Sequence, residues 1–292
     1  MPTDFSKIVF DPSSHTYTYD RKSLISVTTI LKWITPEFDT ERMLKQQSRK
    51  TGRNIEDIRK EWNDKRDAGL DKGTRVHNYV ENVLEGNDIT CMTNINPHIH
   101  EMKQFDIAWA RLKEKLNAKF IRKEWTIGDA ELGVAGRIDA LISLYIKDKH
   151  RKCLFDWKTG KFMTRKYTRE YMLPPFDDLP ACEEIKYSLQ LSLYRLILDR
   201  NSNEDIYSGY IMHLPSDEEY QLYNVIDLRP RVEKWLLDMQ EKETMGDPNI
   251  EKDINKLIKQ IDKIDESELK VISPHTKKKL YMSMQRICEN IS

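Results

Sequence analysis

The sequence predicts a mixed α/β fold, a central mixed β-sheet flanked by helices, with a helical N-terminal elaboration and C-terminal helices. Three observations predict it. Charged sequence with helical periodicity fills most of residues 39–116. Short β-prone runs cluster between 118 and 157, and again at 207–213 and 220–225. One strong helical segment, 183–198, with an apolar stripe at Ile185, Leu189, Leu193 and Leu196, lies between those two groups. With no internal repeat and no low-complexity linker, the 292 residues are expected to form a single elaborated domain. Residues 1–117 would carry a hairpin and helices, 118–225 the sheet core, and 226–292 further helices.

The elements follow in chain order. Residues 7–26 alternate β-prone runs with the turn clusters DPSSH and DRKS, which predicts a small hairpin or meander. Ser26 is placed to cap a helix from 28 to 34, stopped before Pro36. From 39 to 85 the chain is helical, with breaks expected at 51–53 and 69–73, and a further helix is expected over 97–116. Strands are expected at 120–127 and 133–145, joined by a turn at 128–133, then a third strand at 152–157. A proline-containing irregular stretch, 161–182, leads into the 183–198 helix.

Charge balance limits the function. The chain has 48 basic and 48 acidic side chains, so polyanions feel no global attraction and a nucleic acid would need a local basic surface. No apolar run is long enough to cross a bilayer, and MPTDFSKIVF lacks the basic-then-apolar layout of a secretory signal. A soluble intracellular protein is the expectation. Cys91, Cys153, Cys182 and Cys288 are far apart and show no zinc spacing, so they are expected to be reduced thiols.

The chemistry starts from CLFDWKTGK, residues 153–161. An apolar strand runs straight into Asp156 and Lys158, two apart and therefore on one strand face. In GRIDAL, Asp139 interrupts another half-buried strand, where a carboxylate is costly unless paired or bound to a cation. Adjacent strands would crowd Asp139 against Asp156, and two crowded carboxylates ionise comfortably only beside a cation. That cation can be Lys158 or a hard divalent ion. With an ion, the group suits phosphodiester hydrolysis: the metal polarises phosphate and water while the lysine orients water or takes its proton. Glu124, on the preceding strand, is either an additional metal or water contact or a solvated glutamate. His77 shares a helix face with Val80 and Leu84, as a core histidine or a ligand would. Gln190 and Tyr194 are neighbours on the 183–198 helix, with Lys186 one turn earlier; they either border the core or meet phosphate or base.

Taken in order, GTRVH (73–77), Glu124, GRID (136–139), DWKTG (156–160) and QLSLY (190–194) resemble the RecB-like branch of the PD-(D/E)XK nuclease superfamily. The pattern is similar to compact stand-alone exonucleases of that branch, encoded by phages or acting in mitochondrial genome maintenance. The resemblance implies a restriction-endonuclease-like core, with His77, Asp139, Asp156 and the Trp157 carbonyl as ligands of Mg²⁺ or Mn²⁺. It also implies Lys158 as catalytic lysine, Glu124 as auxiliary acid, and Gln190 with Tyr194 beside the active site. Iron–sulfur members carry three cysteines together after the core; here Cys288 stands alone, so no cluster is expected.

Lys161, Arg165, Lys166 and Arg169, interleaved with Phe162 and Tyr167, together with Lys186, are expected to hold single-stranded DNA. The helical segment 39–85 is expected to arch over the site, which would make cleavage depend on a DNA end. The leading expectation is a metal-dependent exonuclease of single-stranded or frayed DNA ends in replication, recombination or repair. An endonuclease, an RNA nuclease, or a silent nucleic-acid-binding subunit are the alternatives.

Overall fold

The computed structural model describes residues 2–89, 92, 99–162, 164–165 and 168–244, with side chains up to 240. Its first elements form a meander: β1 (Ile8–Asp11), β2 (Thr16–Tyr19) and β3 (Lys22–Ser26), antiparallel to one another. Asp20 and Arg21 both take positive φ, 46° and 69°, as a two-residue hairpin turn requires. Ser26 then caps α1 (Val27–Ile34), its hydroxyl accepting from the Thr29 amide at 3.0 Å.

The next helices are α2 (Thr40–Thr51) and α3 (Ile55–Glu85), separated by Gly52 at φ +70°. The break expected near residues 69–73 does not occur: α3 is a single helix of 31 residues. Each internal glycine costs a helix only about 1 kcal/mol. Burial of Val76, Tyr79, Val80 and Leu84 further along α3 outweighs that cost. The Asn54 side chain caps its start, and Gly86 at φ +75° ends it.

After α4 (Ile99–Leu116) come β4 (Lys119–Asp129), β5 (Val134–Ile146) and β6 (Lys149–Lys158). Lys147 and Asp148, at φ 50° and 60°, make the tight β5–β6 turn. Helix α5 (Glu183–Asn201) leads to β7 (Ile206–His213), β8 (Gln221–Asn224) and α6 (Arg229–Thr244). Among the described residues the fold is therefore α/β, a mixed eight-stranded sheet flanked by six helices, as expected. The strand order is β1-β2-β3-β5-β6-β7-β8, with β4 also paired to β5.

One feature of this sheet positions the site. β4 runs antiparallel along one edge of β5, pairing residues from Val134 to Ser143. On the other edge, β3 pairs in parallel with Val134 and Ala135, whereas β6 pairs antiparallel from Ala140 onward. Gly136–Asp139 thus face the gap between β3 and β6. The sheet is split there, and the GRID motif lines the split.

Two layers of helix cover the sheet. Val76, Tyr79 and Val80 of α3 and Met102 and Phe105 of α4 pack with Ala140, Ile142, Phe155 and Trp157. Helix α5 is buried on almost every side from Ser188 to Leu198, its leucines and Ile197 interleaved with the buried polar residues Ser188, Gln190, Ser192 and Arg195. Residues 1–235 form one compact unit and 236–292 another, and of the second only 236–244 are described. The remainder of the expected C-terminal helices lies outside the described residues. No described helix is long and apolar enough to cross a membrane.

Candidate active site

The antiparallel register brings the two aspartates together. Ala140 pairs with Phe155, so the next positions, Asp139 and Asp156, stand opposite each other where β6 runs beyond its last pair with β5. With no ladder partner there, the Trp157 amide donates instead to Asp139 Oδ2 at 3.1 Å. Asp156 and Lys158 share the opposite face from Trp157, whose ring is sealed in the core against Phe105 and Phe155. A short ion pair joins them, Lys158 Nζ to Asp156 Oδ2 at 2.6 Å.

His77 arrives from α3. Its Nε2 lies 3.0 Å from the Trp157 carbonyl oxygen, and its Nδ1 lies 3.7 Å from Asp139 Oδ2. A carbonyl can only accept, so a neutral ring donating from Nε2 leaves Nδ1 as a bare acceptor facing a carboxylate. At 3.7 Å, with both side chains partly exposed, the space beside these two acceptors is open to a water or a cation. The helix face presenting His77 is fixed by its buried neighbours Val76 and Val80.

From the other layer, Gln190 donates to Asp156 Oδ1 at 3.0 Å and to the Tyr194 hydroxyl at 3.4 Å. Tyr194 lies against Gly136. A Cβ at 136 would sit 2.4 Å from Tyr194 Cε1, so the first residue of GRID must be glycine for the ring to fit.

The electrostatics follow from burial. Asp156 is 2% exposed, and burial pushes its carboxyl pKa up, opposed by Lys158 and reinforced by Asp139. Both of its oxygens are engaged, Oδ2 by the Lys158 ammonium at 2.6 Å and Oδ1 by Gln190 at 3.0 Å. Burial also works against the Lys158 ammonium, but Asp156 and Asp139 outweigh it and the net shift is upward. The lysine is accordingly a cation in this arrangement. Burial raises Tyr194 well above its ordinary value, so its hydroxyl is neutral.

Glu124 is the next neighbour out. Trp125 pairs with Ile138 and Lys123 with Ala140, which sets Glu124 beside Asp139, at φ 43°. Burial pushes its carboxyl up to about 7 despite the Arg137 guanidinium 2.6 Å away, with Asp139 adding to the rise. Arg137, inside GRID, is a partner that the sequence reading passed over.

The basic residues expected to hold DNA separate into two kinds. Lys161 and Arg169 are exposed. Arg165 is paired with Glu184 at 3.3 Å and Lys186 with Glu183 at 2.9 Å. Lys166 and Tyr167 lie outside the described residues, as does the basic run 275–279. Phe162, expected among the base-contacting aromatics, stacks within the protein on Tyr223 and Tyr187 and lies tilted against His213. The cysteines Cys153 and Cys182 are buried free thiols, and Cys91 and Cys288 are outside the described residues.

Among the described residues, no group of three or more His, Cys, Asp and Glu side chains is already arranged around an ion position. The donor set at the split nevertheless fits a hard divalent cation. It combines two opposed carboxylates, an imidazole facing one of them, and a backbone carbonyl; to take an ion, Asp156 Oδ2 would exchange Lys158 for it and the carbonyl would exchange its His77 contact.

No family model matches the chain, and no curated protein matches it. Among solved structures, that of SSO0001 is similar at 17% identity, covering 50% of this chain, with a TM-score of 0.25. The match spans 58% of the other chain, under two thirds of its length. A likeness of that size carries no weight for the site.

Proposed function

We propose that this chain is a metal-dependent deoxyribonuclease, an exonuclease of single-stranded or frayed DNA ends serving replication, recombination or repair. The observation that carries the reading is the meeting of Asp139, Asp156, Lys158 and His77 at the split in the sheet. In the chain, those residues occur in the motifs that resemble RecB-like PD-(D/E)XK nucleases.

In this reading His77, Asp139, Asp156 and the Trp157 carbonyl hold Mg²⁺ or Mn²⁺. The bound ion supplies Lewis-acid polarisation of the phosphate and acidifies water. The chain's own groups do the rest. Lys158, as a cation, stabilises the negative charge that builds on the phosphoryl oxygens and orients the attacking water. Gln190 fixes Oδ1 of Asp156, while Oδ2 is held by Lys158 and would pass from the lysine to the ion. Tyr194 backs Gln190 and keeps the GRID backbone at its distance from α5. Glu124, with a pKa of about 7, can hold or release a proton near neutrality, as an auxiliary acid must. Lys161 and Arg169 are free to meet the DNA backbone, and Arg165 and Lys186 can join by leaving their glutamates.

The test is cleavage of end-labelled linear single-stranded DNA with Mg²⁺, Mn²⁺ or a chelator. Cleavage should require an ion, and Lys158→Ala should lower the rate by at least about a hundredfold while DNA binding persists. Full activity of Lys158→Ala, or cleavage in chelator, would overturn the assignment.

A further inference from the structure

The two charged residues at the end of β6 are each met by one residue of α5. Gln190 donates to Asp156, and one turn earlier the Tyr187 ring lies under Lys158 Nζ, 4.7 Å from its centroid. Positions 187 and 190 share a helix face, as 156 and 158 share a strand face. A lysine side chain is a flexible four-carbon stem, and a single carboxylate contact fixes its distance without fixing its direction. A ring face supplies the second constraint, and it attracts the ammonium without neutralising it or donating a competing hydrogen bond.

The ring is itself held. Phe162 stacks on Tyr187 at 6.0 Å between centroids and on Tyr223 at 4.4 Å, with planes inclined by 23° and 18°. The segment carrying Phe162 is tied to the end of β7. His213 Nε2 lies 2.8 Å from the Gly160 carbonyl, and the Leu214 amide donates to the Lys158 carbonyl at 2.8 Å. Tyr187 is therefore the inner member of an aromatic stack that starts on β8 and ends at the lysine.

We infer that Tyr187 is the positioning residue for Lys158: its ring face, buttressed by Phe162, aims the ammonium at the reacting phosphate beside Asp156. The inference rests on the nuclease reading for its consequence, though not for its geometry. It gives Phe162 an internal task in place of base stacking, and the Tyr187 hydroxyl has no part in it.

Three variants test it: Tyr187→Met, which removes the ring; Tyr187→Phe, which keeps it; and Phe162→Leu, which removes its support. Each is assayed on a labelled single-stranded oligonucleotide with Mn²⁺. Each is also treated with an amine-acetylating reagent in chelator, and modification of Lys158 is read by mass spectrometry. Tyr187→Met should lower kcat about tenfold, with KM changed by less than about twofold, and should raise Lys158 acetylation severalfold. Tyr187→Phe should restore both, and Phe162→Leu should fall between. A folded Tyr187→Met with wild-type kcat and wild-type acetylation overturns the proposal, as does a Tyr187→Phe as damaged as Tyr187→Met. If Tyr187→Met does not fold, unchanged kcat and acetylation in Phe162→Leu are equally decisive. A wild-type chain that cleaves nothing would end the nuclease reading, while acetylation would still decide whether the ring holds the lysine.

Discussion

Glu124 is the side chain whose environment is most openly at odds with its charge. Burial, with Asp139 and Glu81 nearby, raises its pKa from the ordinary 4.5 to about 7, even with Arg137 in contact. A carboxyl with a raised folded pKa favours the folded state most when protonated. Its contribution is complete below about pH 4.5 and is lost as the pH rises through about 7. Glu124→Gln removes that titration. In chelator, the melting temperature of the variant should therefore gain on the wild type as pH rises from 5 to 8. A difference that stays constant over this interval would contradict the account. The aspartates and Lys158 were legible in the sequence because each puts a charge into an apolar strand. Arg137, Tyr187 and the internal role of Phe162 were not, since each acts through a partner that only register and packing reveal.

Strand β5 carries the site because its two edges are treated differently. One edge is paired by β4 from Val134 to Ser143, whereas the other passes from β3 to β6 and leaves Gly136–Asp139 between them. Gly136 is where this arrangement is most sensitive, since a methyl group there would meet the buried Tyr194 ring at 2.4 Å. Gly136→Ala should destabilise the fold by about 1–3 kcal/mol. In a Tyr194→Ala background the same change should cost much less, and thermal or urea melts of the four chains would show the coupling. Equal costs in both backgrounds would remove the packing explanation. Most elements were readable from periodicity and turn chemistry, with α5 found from its apolar stripe and the β5–β6 hairpin from its strand pattern. The split in the sheet was not, because nothing local in GRID states that β3 and β6 will share one edge. The false break in α3 has the same origin. Two glycines read as punctuation when the packing that outweighs them lies further along the helix.

Across the whole molecule, charge cancels, so under the proposed function the holding of DNA would fall to local surfaces. The α2–α3 pair buries little of itself: Leu44 and Ile58 are covered, whereas residues 63–71 of α3 are exposed on every side. Phe38 and Leu70 are also open, at 66% and 65%. A long exposed helical arm that continues into the turn bearing His77 suits contact with a strand leading to the site. If the strand is threaded, a covalently closed single-stranded circle should be cut at least about a hundredfold more slowly than the linear form. Equal rates would remove end-dependence and favour an endonuclease using the same residues.

Under the proposed function, the split between β3 and β6 holds Mg²⁺ or Mn²⁺, one ion or two, among Asp139, Asp156, His77 and the Trp157 carbonyl. Diffraction at the manganese absorption edge, from crystals soaked in Mn²⁺, tests this most directly. The account predicts an anomalous peak within ligand distance, about 2–2.3 Å, of those donors, absent in Asp139→Asn. A wild-type crystal with no peak there, or with its manganese bound elsewhere, would contradict it.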